Sequence, residues 1–446
     1  MNDQHDDAHF IITEVIRLAK LSDEERKALL RADPFEFLHH LSRPDGSVVS
    51  IGKAGTEALR RIAKRYLDQV SDFRDRVNVE TFLEALRSEF AKHFFGTEVR
   101  ENTSGLDDIL KAARIRTESE FRARRFFIPT EMFVAERPCR FAVGPVEFIK
   151  TNTFFQEHAL QLEALDRSEL GGKDSRLRQY YENFEWVAVV AIPAACPKAS
   201  QAKAEFLAVA ALNVIRLVCG RSHTYRSRTA DERGRDSRWS KVWEEGEKGF
   251  RHSFSLGGGG HAVGDDWDLI FVREKEVFEP AVAAVSAFGN FSEPPPLCRR
   301  FVDALSWYGE AVTDKLPAPR IVKLVTALEV MVGTGPELDK KGKRRRGVTK
   351  IVCNRAAKWH SFAIGGKFPD SYRLLEDLYA LRSGIVHGTL SPGDESLIGK
   401  SHDAEELVRM VLLSGLSFFA MLGLFDPQFT PGRLGDIFRK SLEATP

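Results

Sequence analysis

The chain lacks the residue groupings that usually announce chemistry. Its five cysteines, Cys139, Cys196, Cys219, Cys298 and Cys353, are odd in number and never form a C-x-x-C pair. That spacing excludes the common zinc and redox motifs and leaves free thiols in a reducing compartment as the expectation. Strong charge of either sign is also missing: the net charge is +1, so any nucleic-acid contact should come from local patches rather than a general basic coat. The polar, acidic start Met-Asn-Asp-Gln-His-Asp-Asp has neither the basic residues nor the apolar core of a secretory signal, and a cytoplasmic protein is expected. The glycine run at 257–260 lacks the G-x-x-x-x-G-K-[ST] spacing of a phosphate loop, and Asp265, Asp266 and Asp268 lack a defined ligand loop. No metal and no cofactor are therefore expected. Long apolar runs are absent apart from residues 407–425, which Arg409, Ser414, Gly415 and Ser417 interrupt. That run reads as a buried central helix, with no membrane partner.

What remains is an ordinary globular composition, 43% hydrophobic and 29% charged over 446 residues, enough for more than one core. Apolar residues at three-to-four spacing predict helices over 10–21, 53–72, 79–95 and 106–125, giving a helical N-terminal region over 1–125. Between 126 and 291 short apolar runs at 126–128, 141–143 and 186–192 predict strands, and 203–219 predicts a long helix. This middle region reads as a mixed α/β sensor or regulatory domain. Its arginine-rich stretch, with Arg221, Arg226, Arg228, Arg233, Arg235 and Arg238, reads first as a solvated loop and second as an RNA contact. Pro294, Pro295 and Pro296 suggest a domain boundary. Beyond them, helices are expected over 298–313, 320–332, 348–360, 369–387 and 403–425. Asp403 and Glu406 have capping-box spacing, and Gly388 and Pro392 close the preceding helix. The fold expected is an α+β multidomain chain ending in an all-α bundle over 292–430 and a tail over 431–446.

Residues 381–388 read Leu-Arg-Ser-Gly-Ile-Val-His-Gly. Arg382 supplies a permanently charged guanidinium that can hold a phosphate through paired hydrogen bonds, and His387 can move a proton near neutral pH. Neither needs a metal. The spacing occurs twice, because Arg355 and His360 also match it, and about one accidental match is expected from so many arginines and twelve histidines. Context favours the later pair. Leu374, Leu378, Leu381 and Ile385 form a heptad-like stripe that would bury one side of its helix, whereas Arg355 and His360 flank Lys358 and Trp359 and read as a surface or RNA-facing group. Five helical steps separate Arg382 from His387 by roughly 140° and about 7.5 Å along the axis. A site shared between two copies of the chain solves that geometry. The basic run Lys340, Lys341, Lys343, Arg344, Arg345, Arg346 and Lys350 reads either as a group that gathers RNA phosphates or as a solvated loop.

The stretch 381–388 resembles the R-x4-H signature of HEPN domains, particularly the ApeA-like branch associated with bacterial defence. Thr326-Ala327-Leu328-Glu329 followed by a basic linker is similar to that branch too, and the resemblance covers about residues 295–430. It implies a helical bundle that dimerises and acts as a metal-independent RNA endonuclease. The family's arginine corresponds to Arg382 and its histidine to His387. Glu329, on a neighbouring helix, reads either as a partner that pairs with Arg382 and fixes its orientation or as a plain surface carboxylate, and Ser383 keeps a hydroxyl that can hydrogen-bond. Many active members carry Asn, Asp or His where this chain has Ser383. The implied setting is antiviral defence or abortive infection, with RNA as substrate and a phage or cellular trigger. The alternative is a non-catalytic HEPN module for dimerisation or nucleotide binding.

Overall fold

The computed structural model describes residues 2–33, 39–73, 75–96, 105–133, 135–160, 176–220, 224, 227–230, 238–244, 250–256, 264, 266–334 and 347–441. The described chain is mixed α/β and mostly helical. It divides into two compact units, residues 1–124 with 192–204 and residues 125–191 with 205–446.

The first unit contains α1 (Asn2–Ala19), α2 (Asp23–Ala32), α3 (Gly52–Gln69), α4 (Val79–Phe94) and α5 (Leu106–Glu118), with a hairpin of β1 (His40–Ser42) and β2 (Val48–Ser50). Leu59, Ile62, Ala63 and Leu67 of α3 face Phe82, Leu86, Phe90 and Phe94 of α4 in a single core, as expected for helices with apolar residues at three-to-four spacing. Ser22 and Glu25 form a reciprocal capping box at the start of α2. The helix expected over 106–125 stops at Glu118. Glu120 and Phe121 close its end through bonds to the carbonyls of Thr117 and Glu118, and Arg122 already belongs to a strand.

The second unit holds most of a five-stranded sheet, of which residues 122–124 and 192–195 are counted in the first. Its strands are β3 (Arg122–Glu131), β4 (Arg140–Val143), β5 (Val146–Lys150), β6 (Trp186–Ala195) and β7 (Arg228–Thr229), in the order β4-β5-β6-β3-β7. The β4–β5, β5–β6 and β3–β7 pairs are antiparallel. The three expected strand segments lie in β3, β4 and β6. A further hairpin joins β8 (Arg238–Glu244) to β9 (Phe250–Leu256). Helices α6 (Thr151–Glu157), α7 (Arg176–Tyr181), α8 (Pro197–Cys219), α9 (Leu269–Arg273) and α10 (Lys275–Ser286) follow the strands, with residues 197–204 of α8 counted in the first unit.

The rest of this unit is a helical bundle of α11 (Pro296–Val312), α12 (Pro317–Val332), α13 (Val348–Ala363), α14 (Phe368–Val386) and α15 (Leu397–Gly423), followed by α16 (Pro431–Ser441). All five expected helices are present, and most of the expected tail is the helix α16. Pro295 caps α11 and Pro296 is its first residue, a position that needs no backbone N–H donor. The boundary expected at this proline run therefore falls inside the second unit. Asp403 and Glu406 do not cap a helix. They lie within α15, whose N-cap is Ser396, and Glu406 instead accepts from Arg409 Nε at 2.9 Å.

Helix α15 packs against α10, α11, α12 and α13. It is the one described helix long and apolar enough to cross a membrane, and here its apolar positions Val408, Val411, Leu412, Leu416 and Phe419 are buried in the bundle. Gly415 permits the close approach. A Cβ there would stand 2.6 Å from both Met331 Cε and Trp359 Cζ3.

Candidate functional site

Helix α14 carries the later arginine–histidine pair. Ser371, Leu375, Leu378 and Tyr379 form its buried face, and Arg382 continues that face by three and four positions from Tyr379 and Leu378. The expected stripe is rotated from this: Leu374 is 51% exposed, Leu381 and Ile385 are half-buried, and only Leu378 belongs to the core. The buried face is not wholly apolar: His360 Nδ1 and Ser371 Oγ are 2.8 Å apart within it.

Arg382 is half-buried, and its Nε lies out of solvent without a hydrogen-bond acceptor. Tyr379, one turn earlier, donates its hydroxyl to Glu329 Oε1 at 3.3 Å. Burial is the main force pushing the Tyr379 phenol well above its ordinary pKa; the Glu329 carboxylate adds to the rise and the Arg382 charge opposes it. Glu329 thus contacts Tyr379 and forms no ion pair with Arg382 among the described residues.

His387 is exposed and forms the C-cap of α14, its N–H bonded to the Ser383 carbonyl at 2.9 Å. Gly388 follows with φ +74°, a left-handed conformation that ends helices cheaply in glycine. The Leu390 N–H returns to the Gly384 carbonyl at 3.0 Å, fixing the turn on which His387 sits. Ser383 is exposed. Because α14 stays regular through Val386, the rise of about 7.5 Å and rotation of roughly 140° between Arg382 and His387 stand, and no hydrogen bond joins the two within the chain.

The earlier match is a different object. Arg355 and His360 were expected at the surface, but they are 0% and 6% exposed. Arg355 Nη1 donates to the Val332 carbonyl at 2.9 Å and to Thr334 Oγ1 at 3.0 Å, and its guanidinium lies 4.9 Å from the Phe438 ring centroid. Arg300 joins it at the same helix end, donating to the carbonyls of Val330 and Gly333. Two guanidinium groups thus satisfy the carbonyl-rich, negative terminus of α12. Trp359, between the matched residues, is buried against Phe418, Phe419 and Phe438.

Arg228 pairs with Glu131 at 2.6 Å across the β3–β7 edge, so this member of the arginine-rich stretch holds the sheet. Arg221, Arg226, Arg233, Arg235 and the side chain of Arg238 lie outside the described residues, as do the glycine run 257–260 and Asp265. Lys340, Lys341, Lys343, Arg344, Arg345 and Arg346 lie outside them too, while Lys350 is exposed in the first turn of α13. A cavity of about 880 Å³ is lined by Arg299, Arg300, Glu329, Thr334, Val348 and Phe429 among others. Arg382 and His387 do not line it. Among the described residues no cluster of His, Cys, Asp or Glu could hold a metal ion.

The sequence reading missed Tyr379 and Arg300. Tyr379 had a signal, since it follows Leu375 by four positions on the buried face; the role of Arg300 depends on carbonyls 30 and 33 residues away and had none. Comparison with protein families, with curated proteins and with solved structures found no match.

Proposed function

We propose that this chain is a HEPN-type, metal-independent RNA endonuclease, a regulated cytoplasmic defence or toxin-like effector whose C-terminal bundle carries the reaction. The observation that carries this reading is the state of α14: an exposed His387 at the helix end and, five residues back, Arg382 with a buried Nε that no protein acceptor satisfies. In the reaction the RNA 2′-oxygen bonds to the adjacent phosphorus and the bond from phosphorus to the 5′-oxygen breaks. The products are a 2′,3′-cyclic phosphate and a 5′-hydroxyl. His387 handles the proton leaving the 2′-hydroxyl or the one gained by the 5′-oxygen, and Arg382 binds the phosphate as charge develops on it. The separation of the two side chains on one helix favours a site completed by a second copy of the chain. The basic segment from Lys340 to Lys350 supplies further phosphate contacts, and the remaining regions sense a phage or cellular trigger.

Ser383, together with a cavity lying away from Arg382 and His387, favours the second reading, a HEPN module that dimerises or binds nucleotide without cleaving. Labelled RNA incubated with the protein in EDTA separates the two. The nuclease reading expects cyclic-phosphate ends that vanish in both Arg382→Ala and His387→Ala. Mixing these two variants should restore up to about a quarter of the activity if the site is shared across a two-fold dimer. Cleavage that survives both substitutions would defeat the assignment.

A further inference from the structure

We infer that Tyr379 is a positioning residue that holds Glu329 away from Arg382 and so keeps the guanidinium open for a phosphate. The inference rests on the reading of Arg382 as the phosphate-holding group. A carboxylate and a guanidinium near one another in a partly buried setting normally close into a charge-assisted pair. Here they do not. The Glu329 carboxylate takes its hydrogen bond from the Tyr379 hydroxyl at 3.3 Å, and Arg382 lies three residues beyond Tyr379 on the same helix, a spacing at which side chains are neighbours. Its own Nε is left without an acceptor.

Tyr379 is well fixed for this task. It is 5% exposed, its ring belongs to the buried face of α14, and Glu329 projects from the last turn of α12, which packs against α14. Burial raises the phenol's pKa, so the group stays protonated and remains a donor at neutral pH. A phenol satisfies the carboxylate without contributing a positive charge. Glu329 therefore keeps a partner, while Arg382 has no ion pair among the described residues.

The test uses the full chain as wild type, Tyr379→Phe and the double variant Tyr379→Phe/Glu329→Gln. Phenylalanine keeps the buried ring and removes only the donor. The first readout is RNA cleavage in EDTA. The second is binding of a 2′-O-methyl oligoribonucleotide, which cannot form the cyclic phosphate, across a salt series. We expect Tyr379→Phe to slow cleavage about tenfold, because the freed carboxylate captures Arg382 and removes transition-state binding. The salt slope of log K should fall by about 0.7, one single-strand phosphate contact. The double variant should recover both, since glutamine has no charge with which to hold Arg382. Wild-type behaviour in Tyr379→Phe overturns the inference, and so does a double variant as impaired as the single one, which would make Tyr379 merely structural. Lack of cleavage by the wild type would overturn the nuclease reading alone, leaving the binding slopes to decide this one. Lack of binding by every form would overturn both.

Discussion

Two segments on consecutive helices share the spacing of an arginine and a histidine five positions apart, and the fold treats them in opposite ways. Arg355 and His360 are inside. The first is bonded to the end of α12 and stacked on Phe438, and the second is bonded to Ser371 of α14. Together they tie α12, α13 and α14 to one another. Arg382 and His387 lie on the helix that this clamp holds in place, one half-buried and incompletely satisfied, the other exposed. The difference teaches that the spacing carries no chemistry by itself. A buried guanidinium whose donors meet carbonyls is a structural bolt, whereas one left short of acceptors beside solvent remains available to a ligand.

The comparison is most easily broken through stability. Arg355→Met should cost about 3 kcal/mol, because it orphans the buried Val332 carbonyl and takes the partner from the half-buried Thr334 hydroxyl. Arg382→Met should cost less than about 1 kcal/mol. Denaturant midpoints measure both, and similar losses would mean that the two arginines do the same structural work. Gly415→Ala sharpens the point, since its Cβ would meet Met331 and Trp359 at 2.6 Å. That overpacking should cost about 2 kcal/mol and loosen the packing around Trp359, visible in its fluorescence.

The smallest effect is pH-dependent. Burial holds the His360 imidazole below its ordinary value of 6.5, so the unfolded chain takes up this proton first as pH falls. Stability from the neutral His360 is full above about pH 6.5 and declines as pH drops through 6.5 toward the lower folded value, by at most about 1.4 kcal/mol per pH unit. His360→Gln should flatten that limb of the stability curve relative to wild type, as followed by thermal denaturation between pH 5 and 7. An unchanged limb would place the titration elsewhere.

Much of the bundle was legible because its helices repeat apolar residues at the helical period: the expected segments over 298–313, 320–332, 348–360 and 369–387 all correspond to α11 to α14. The face of α14 was not legible. Its buried side includes Ser371 and Tyr379, whose polar atoms are satisfied by His360 and Glu329, residues 11 and 50 positions away, while Leu374 faces outward. The burial of Arg355 was hidden for the same reason. A charged side chain reads as surface until its partners are known, and Val332 and Thr334 lie more than twenty residues upstream. The spacing of Asp403 and Glu406 misled in the opposite direction, because a local pattern can occur in mid-helix where no end exists to cap. The candidate pair itself was visible in sequence, but its contrast with the earlier match appears only when burial and bonding are known.

The most direct measurement compares the RNA cleavage rates of His387→Ala and His360→Asn in EDTA, each normalised to its folded fraction. The account predicts that His387→Ala loses at least about a thousandfold, the loss of a proton-transfer group, while folded His360→Asn cleaves at close to the wild-type rate. Loss confined to His360→Asn, with His387→Ala still active, would contradict it.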